Sequence, residues 1–271
     1  MDEQELAAPA QPLFAARELT VRFGGITALL DVSVAVRPGE VVGVIGPNGA
    51  GKTTLFNVIC GFVRAERGTL WWKGRQLERV RTDRLAALGI ARTLQGVGLF
   101  GGLTVLENVM AGCERFRRAG PVSSFLGLPR AGRDEHALRE RARTMLHELH
   151  CDDVAARLPG TLPYAVQKRV ALARVLVAEP ELLLLDEPAG GLGAGELSDL
   201  ATLIEEMRGR TAVMLVEHRV DLVMAVCDRV VVLDFGELIA EGDPDAIRHD
   251  QRVVEAYLGA PADGAGGTGH P

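Results

Sequence analysis

The motif that most constrains the fold is the stretch GPNGAGKTT, which follows a short β-branched run and opens a helix-like segment. It fits the pattern G-x-x-x-x-G-K-[ST] completely, and in a strand-to-helix turn that pattern is typical of a phosphate-binding loop. Glycines let backbone N–H groups curl around phosphate oxygens, and the following helix N-terminus favours an anion. The residues predicted to cradle a nucleotide are Gly46, Pro47, Asn48, Gly49, Ala50, Gly51, Lys52, Thr53 and Thr54.

A second apolar run, ELLLLDEP, ends in the adjacent carboxylates Asp186 and Glu187. Beside a complete phosphate loop, such a pair predicts the remainder of an ATP site. Asp186 would hold Mg²⁺ together with the hydroxyl of Thr53, and Lys52 would reach the β- and γ-phosphates. Glu187 would polarise the attacking water as general base. ATP and Mg²⁺ are therefore the expected ligands.

Three further residues are weaker candidates for the same site. His218 closes the run VMLVEH, where an imidazole N–H could stabilise charge on the transferring phosphoryl group. Gln95 in ARTLQGVGLF could touch both metal-bound water and a moving segment, which makes it a catalytic and a metal-site candidate. Phe23 in VRFGG could stack on an adenine, with core packing as an equally good alternative.

The pattern of apolar residues predicts an α/β fold. Strand-like runs (ALLDVSVAV, VVGVIG, ELLLLDEP, TAVMLVEH) alternate with helix-like ones (KTTLFNVICGF, ELSDLATLIEEM), as in a parallel sheet covered on both faces. In the middle of the chain, Leu138, Ala142, Met145 and Leu149 recur at helical spacing, and a second such helix begins at about Val166. This helical middle indicates an insertion into the α/β core.

The amino-acid composition limits the kinds of partner and environment that the chain can have. The net charge of −6 and an aromatic content of 4% argue against nucleic acid, which selects basic faces and stacking rings. No apolar run is long enough to cross a membrane, and the acidic N-terminus MDEQELAAPAQP is unlike a signal peptide. The 4 cysteines form no CxxC pair, so we expect a reduced, cytosolic environment.

These motifs, in this order, resemble the ATP-binding subunits of ABC transporters, and most closely those of branched-chain amino acid importers. The resemblance runs from about Leu13 to Gly259. RFGGITALLDVSV and GPNGAGKTTLFNVICGF resemble the opening of that group, and ARTLQGVGLFGGLTVLENV resembles its glutamine loop and permease-facing segment. GELIAEGDPDAIRHDQRVVEAYLG resembles its C-terminal helix. By position, Phe23 matches the adenine-stacking aromatic, Gln95 the glutamine loop and His218 the switch histidine.

The resemblance implies a P-loop NTPase fold, with a RecA-like parallel-sheet core, an antiparallel β subdomain and an inserted helical subdomain. The expected boundaries are a disordered arm at 1–12, one ATPase domain at 13–260 (core 13–95 and 168–260, helical subdomain 96–167) and a disordered tail at 261–271.

The implied function is ATP hydrolysis that energises a membrane importer for branched-chain amino acids or a related small polar solute such as urea. Two such subunits would sandwich two ATP molecules head to tail at the cytoplasmic face of the membrane. The expected partners are permease subunits, a second ATPase subunit or a second copy of this chain, and indirectly an extracytoplasmic solute-binding protein. The alternatives are a soluble ABC-type ATPase acting on ribosomes or DNA, and an ATP-binding regulatory subunit with weak turnover.

One segment departs from the family pattern. The signature Leu-Ser-Gly-Gly-Gln, which would face the ATP of the partner subunit, is degenerate here, and Gly193 replaces a usual Asp. A proline lacks both the serine hydroxyl and the N–H donor, so this face is either weakened or a tolerated variant. A weakened face predicts a heterodimer with an ATPase whose signature is intact. The segment consists of Leu162, Pro163, Tyr164, Ala165, Val166 and Gln167.

Overall fold

Two β-sheets organise the described part of the chain. The computed structural model describes residues 11–93, 96–117 and 129–258. Its strands are β1 (Phe14–Phe23), β2 (Ile26–Val36), β3 (Val41–Ile45), β4 (Arg67–Trp72), β5 (Arg75–Leu77), β6 (Ile90–Arg92), β7 (Leu182–Asp186), β8 (Ala212–Val216), β9 (Arg229–Asp234) and β10 (Glu237–Gly242).

The larger sheet is mostly parallel. Its six strands run in the order β10-β9-β3-β8-β7-β6, and only β10 pairs antiparallel with its neighbour. Every residue of β3, β7 and β8 is buried, because helices or the second sheet cover both faces. Val42 and Val44 face one core, whereas Val41 and Ile45 face the other. The α/β fold predicted from the alternating pattern is therefore confirmed.

The smaller sheet has four antiparallel strands in the order β2-β1-β4-β5. Phe14 of β1 and Leu29 of β2 pack in the same core as Phe56, which lies in the helix after the phosphate loop. Backbone N–H of Leu30 also donates to the carbonyl oxygen of Gly236 in the β9–β10 turn, at 2.8 Å. This sheet is the expected antiparallel β layer, and it holds one side of the phosphate loop.

Each helix predicted from the apolar pattern is present in the described ranges, and the chain forms further helices that the pattern did not single out. Short 3₁₀ turns occupy Thr82–Arg84, Cys113–Phe116, Asp152–Val154 and Pro159–Thr161. The α-helices are α1 (Lys52–Ile59), α2 (Leu85–Leu88), α3 (Val105–Gly112), α4 (Pro129–Glu148), α5 (Tyr164–Leu176), α6 (Ala194–Met207), α7 (Val220–Val226), α8 (Pro244–His249) and α9 (Gln251–Leu258).

Helices α3, α4 and α5 form a layer of their own. Ala142 and Leu146 of α4 are fully buried against this layer, as expected for the apolar face of an amphipathic helix. Helix α5 begins two residues earlier than predicted, because Pro163 (φ −55°, ψ 149°) fits the position just before a first turn. The expected resumption of the core at residue 168 falls inside this continuous helix, so that boundary stays a prediction. Among the described helices, none combines the length and apolarity needed to span a bilayer.

Candidate functional site

The phosphate loop joins the end of β3 to the start of α1, as predicted. Gly49 (φ 82°) and Gly51 (φ 99°) adopt backbone conformations that side chains rarely tolerate. A Cβ at Gly51 would lie 2.5 Å from the carbonyl oxygen of Ala28, and a Cβ at Gly46 would collide with the carbonyl oxygen of Leu233. These glycines therefore let the loop curl tightly between β2 and the β9–β10 turn, with the α1 N-terminus open for an anion.

Lys52 is buried under the loop. Its Nζ donates to the carbonyl oxygens of Gly46 at 2.7 Å and Pro47 at 2.8 Å. Burial lowers the pKa of Lys52, while the nearby Glu187 carboxylate acts in the opposite direction. A cation held by neutral carbonyl oxygens in a desolvated position is well suited to attract phosphate oxygens. Thr53, the next residue, is exposed at the first turn of α1.

The acidic strand end lies next to this loop. The Asp186 carboxylate is buried and pairs with Arg92 of β6, with Nη2 to Oδ2 at 2.6 Å. Arg92 also donates through Nη1 to the Asn57 side chain of α1 at 2.8 Å, and its guanidinium lies over the ring of Phe56. Sequence reasoning missed Arg92. The only available signal was a charged residue at the end of a short strand three positions before Gln95.

Glu187 and His218 meet at the carboxyl ends of β7 and β8. Nε2 of His218 lies 2.8 Å from Oε1 of Glu187. The backbone N–H of Glu187 donates to the carbonyl oxygen of Val216 at 2.9 Å, so the two strand ends stay in register. Glu187 has a φ of 48°, a left-handed conformation that costs a non-glycine residue about 1–3 kcal/mol. Such strain at a half-buried carboxylate is typical of a functional turn.

The remaining candidates for the nucleotide site are Phe23 and Gln95. Phe23 ends β1 and is 50% exposed, beside the hairpin whose Ala28 carbonyl touches the phosphate loop. Its ring is therefore available for stacking, in contrast to the core-packing alternative. Gln95 lies outside the described residues.

The signature segment surrounds the start of α5. Leu162 is buried, and Pro163 precedes the helix without a side-chain cap. Tyr164 is 43% exposed and packs against Gly191, where a Cβ would lie 2.9 Å from the ring. Gln167 donates through Nε2 to the carbonyl oxygen of Leu162 at 2.9 Å. Ala165 and Val166 follow in the first turn, where helix N–H groups lack intrahelical acceptors.

Lys168 connects this segment to the acidic strand end. Its Nζ donates to the carbonyl oxygens of Pro188 at 2.7 Å and Glu187 at 3.3 Å. On the other side of the same loop, Gly193 donates its N–H to Glu196 Oε2 at 2.8 Å and starts α6. Lys168 was not singled out from the sequence, since its contact depends on how α5 is oriented against β7.

The chain is similar to known proteins over nearly its whole length. A family model described as "ABC transporter" matches residues 29–190, and one described as "Branched-chain amino acid ATP-binding cassette transporter" matches residues 237–263. The high-affinity branched-chain amino acid transport ATP-binding protein LivG of Salmonella typhimurium is 40% identical over 92% of this chain and 99% of its own. BraF of Pseudomonas aeruginosa, described in the same words, is 37% identical over the same shares. A crystal structure of the ADP conformation of an ABC transporter cassette superposes with a TM-score of 0.79, at 31% identity, over 93% of this chain and 100% of its own.

Proposed function

The chain belongs to the ABC transporter family, and from this premise we propose that it hydrolyses ATP to energise import of branched-chain amino acids or a related small polar solute such as urea. The family resemblance and the P-loop NTPase fold expected from the sequence are thereby confirmed. The observation that carries the proposal is the contact of Glu187 with His218 beside the buried Lys52. The rival reading, a soluble ATPase acting on ribosomes or DNA, is not favoured, since similar proteins over nearly the whole chain are transport subunits.

In this proposal, the phosphate loop from Gly46 to Thr54 binds the phosphates of ATP through its backbone N–H groups. Lys52 exchanges its two loop carbonyls for the β- and γ-phosphate oxygens, a stronger contact because both partners then carry charge. Phe23 stacks on the adenine. The half-exposed ring and the tightly curled glycine loop both fit such a nucleotide.

The residues also fit Mg²⁺, which binds through one or two carboxylates plus substrate phosphates rather than through an all-protein cage. Asp186 ends the strand beside the loop, Thr53 is an exposed residue within the loop, and Gln95 stays a predicted third contact. The ion, when bound, would neutralise charge on the β- and γ-phosphates. When Asp186 binds the ion, its contact with Arg92 must be shared or released. The short hydrogen bond from Arg92 to Asn57 can then keep the guanidinium in place.

Glu187 is proposed to accept a proton from the attacking water. At the same time the water oxygen bonds to the γ-phosphorus, and the bond between the γ-phosphorus and the ADP oxygen breaks. His218, 2.8 Å from Glu187, would orient that carboxylate and stabilise charge on the transferring group. The products are ADP and phosphate.

The permease contact is proposed to include Phe100 and Leu103, exposed apolar residues just after the glutamine-loop position. The buried Asn108 side chain holds this turn, accepting from the N–H of Phe100 at 2.8 Å and donating to its carbonyl oxygen at 3.1 Å. An exposed aromatic on a firmly held turn is a typical docking feature. Through the permease the chain would sit at the cytoplasmic face of the membrane and act on the solute-binding protein indirectly.

The second ATPase of the sandwich is proposed to be a different subunit with an intact signature, because Pro163 and Ala165 weaken the face that this chain offers. Pairing of this chain with itself is the alternative. No nucleic acid partner is proposed.

Affinity purification of the full chain from detergent-solubilised native membranes, read by mass spectrometry, tests the proposal. We expect multi-spanning permease chains and a second ATPase to be recovered. Phe100→Asp should lower permease recovery by about tenfold or more. Val254→Asp, at an exposed apolar residue of α9 (44%), should leave recovery unchanged. Recovery of ribosomal or DNA-repair proteins in place of a permease would contradict the transport function.

A further inference from the structure

Glu217, the residue directly after β8, is a buried carboxylate with no role assigned so far. It is 2% exposed. Its Oε1 accepts the backbone N–H of Ala189 at 2.6 Å. Its Oε2 accepts the backbone N–H groups of His218 at 2.9 Å and Arg219 at 3.1 Å. A buried carboxylate is costly unless charge-assisted hydrogen bonds satisfy it, and here three do so.

The three donors come from two different turns. Ala189 lies two residues after Glu187, on the turn that leaves β7, whereas His218 and Arg219 lie on the turn that leaves β8. The carboxylate therefore bridges the turn that carries the proposed general base and the turn that carries the switch imidazole. A carboxylate that only capped its own turn would need the contacts to His218 and Arg219, but it would not need the contact to Ala189 on the other turn.

The bridged turn after β7 needs such support. Glu187 has a left-handed φ of 48°, a conformation that persists only where its surroundings determine it. Lys168 holds the opposite side of this turn through the carbonyl oxygen of Pro188 at 2.7 Å. Burial lowers the pKa of Lys168, and the charges of Glu217 and Glu187 oppose that effect, which places the three groups in one local field.

We propose that Glu217 is a positioning residue for ATP hydrolysis, one that keeps the Glu187 carboxylate within hydrogen-bond distance of the His218 imidazole by tying their two turns together. This inference rests on the proposed function of Glu187 and His218. The Glu217 side chain accepts hydrogen bonds from backbone N–H groups of these two turns, so it acts by holding the backbone and not by contact with the reacting atoms.

Two substitutions in the full chain separate bridging from simple turn capping. Glu217→Gln replaces one acceptor oxygen by an NH₂ group that must face a backbone N–H. Glu217→Asp keeps the charge and can still accept from its own turn, but it is one methylene too short to reach Ala189. For both variants we expect kcat to fall roughly 10- to 100-fold, the effect of losing one charge-assisted hydrogen bond, with the Kd for MgATP nearly unchanged.

Glu40→Gln is the matched control. Glu40 is also a buried carboxylate (8% exposed) and accepts the backbone N–H of Arg37 at 2.7 Å, but it lies at the opposite end of β3. This variant should lower the melting temperature without lowering kcat per folded molecule. Amide hydrogen exchange supplies a second readout, because both Glu217 variants should lose protection at Ala189 while β3 keeps its protection.

The outcomes are distinct. Full kcat in Glu217→Asp would overturn the bridging role, and so would a loss of kcat that merely follows the folded fraction or appears equally in Glu40→Gln. A wild-type chain that hydrolyses no ATP, alone or with its membrane partners, would instead contradict the proposed function itself. Unchanged exchange at Ala189 in both Glu217 variants would overturn the inference even if a variant unfolds too easily for kinetics.

Discussion

Restoring the signature segment, by combining Pro163→Ser with Ala165→Gly, should raise ATP turnover of the purified chain. Both residues lie at the open N-terminal end of α5, where backbone N–H groups are free to meet the ATP of a partner. In isolation the chain can pair only with itself, so both composite sites would carry the restored segment.

The magnitude follows from the contacts that are missing. A hydrogen bond to a charged phosphate contributes about 1.5–3 kcal/mol, and Pro163 lacks the hydroxyl that would make one. Regaining one bond at each of the two sites adds about 3–6 kcal/mol per pair, which should strengthen ATP-dependent pairing by at least about 100-fold. The fold should change little. A serine N-cap adds about 1 kcal/mol, while losing the proline and introducing a glycine into a first turn cost about the same together.

The assay is phosphate release measured against protein concentration, with thermal unfolding recorded in parallel. The restored chain should reach half-maximal specific activity at a concentration lower by that factor, at a nearly unchanged melting temperature. Adding Lys52→Ala to the restored chain should abolish the signal and so exclude a contaminating ATPase. Identical concentration dependence before and after restoration would show that the degenerate signature is a tolerated variant and not a weakened one.

Three further predictions concern stability and reactivity. Gly51→Ala should weaken ATP binding and lower the free energy of unfolding, measured by urea titration, by about 1–3 kcal/mol or more, because backbone strain and a 2.5 Å clash both destabilise the variant. Gly24→Ala is the control, since its φ of 58° brings strain but the space around it is open. Arg92→Ala leaves the buried Asp186 unpaired and should cost about 3–5 kcal/mol by the same measurement. Arg22→Ala, which removes an exposed ion pair, should cost less than about 1 kcal/mol. Equal losses of stability in Arg92→Ala and Arg22→Ala would contradict the stabilising role of the buried pair. Burial raises the pKa of every cysteine thiol, that of Cys227 to about 12. Thiol reagents at about pH 8 should therefore label the chain only as it unfolds, and rapid labelling of the folded chain would contradict this prediction. The thiols are Cys60, Cys113, Cys151 and Cys227.

Much of the site could be predicted because its determinants are local. The glycine spacing of the phosphate loop encodes a conformation that Gly51 requires, and the apolar runs before Asp186 and His218 encode buried strands. Parallel strands place their carboxyl ends at one edge, so the meeting of Glu187 and His218 follows from the fold once both strands are recognised. Their 2.8 Å separation, however, needed the register of Asp186 opposite Val216.

The remaining contacts could not be predicted because they join distant segments without a repeating pattern. Arg92 and Asp186 are 94 positions apart, and an arginine at the end of a three-residue strand carries no signal by itself. Lys168 reaches Pro188 only because α5 is oriented toward β7. Glu217 stands beside the predicted His218, yet its burial depends on the turn after Glu187 folding over it.

Whether Glu187 is the general base is decided by comparing the wild-type chain with Glu187→Gln for both MgATP binding and ATP turnover. We expect nearly equal affinity, with turnover reduced by about a hundredfold or more and ATP retained in the variant. Unchanged turnover in Glu187→Gln would remove Glu187 from the role of general base and contradict the account.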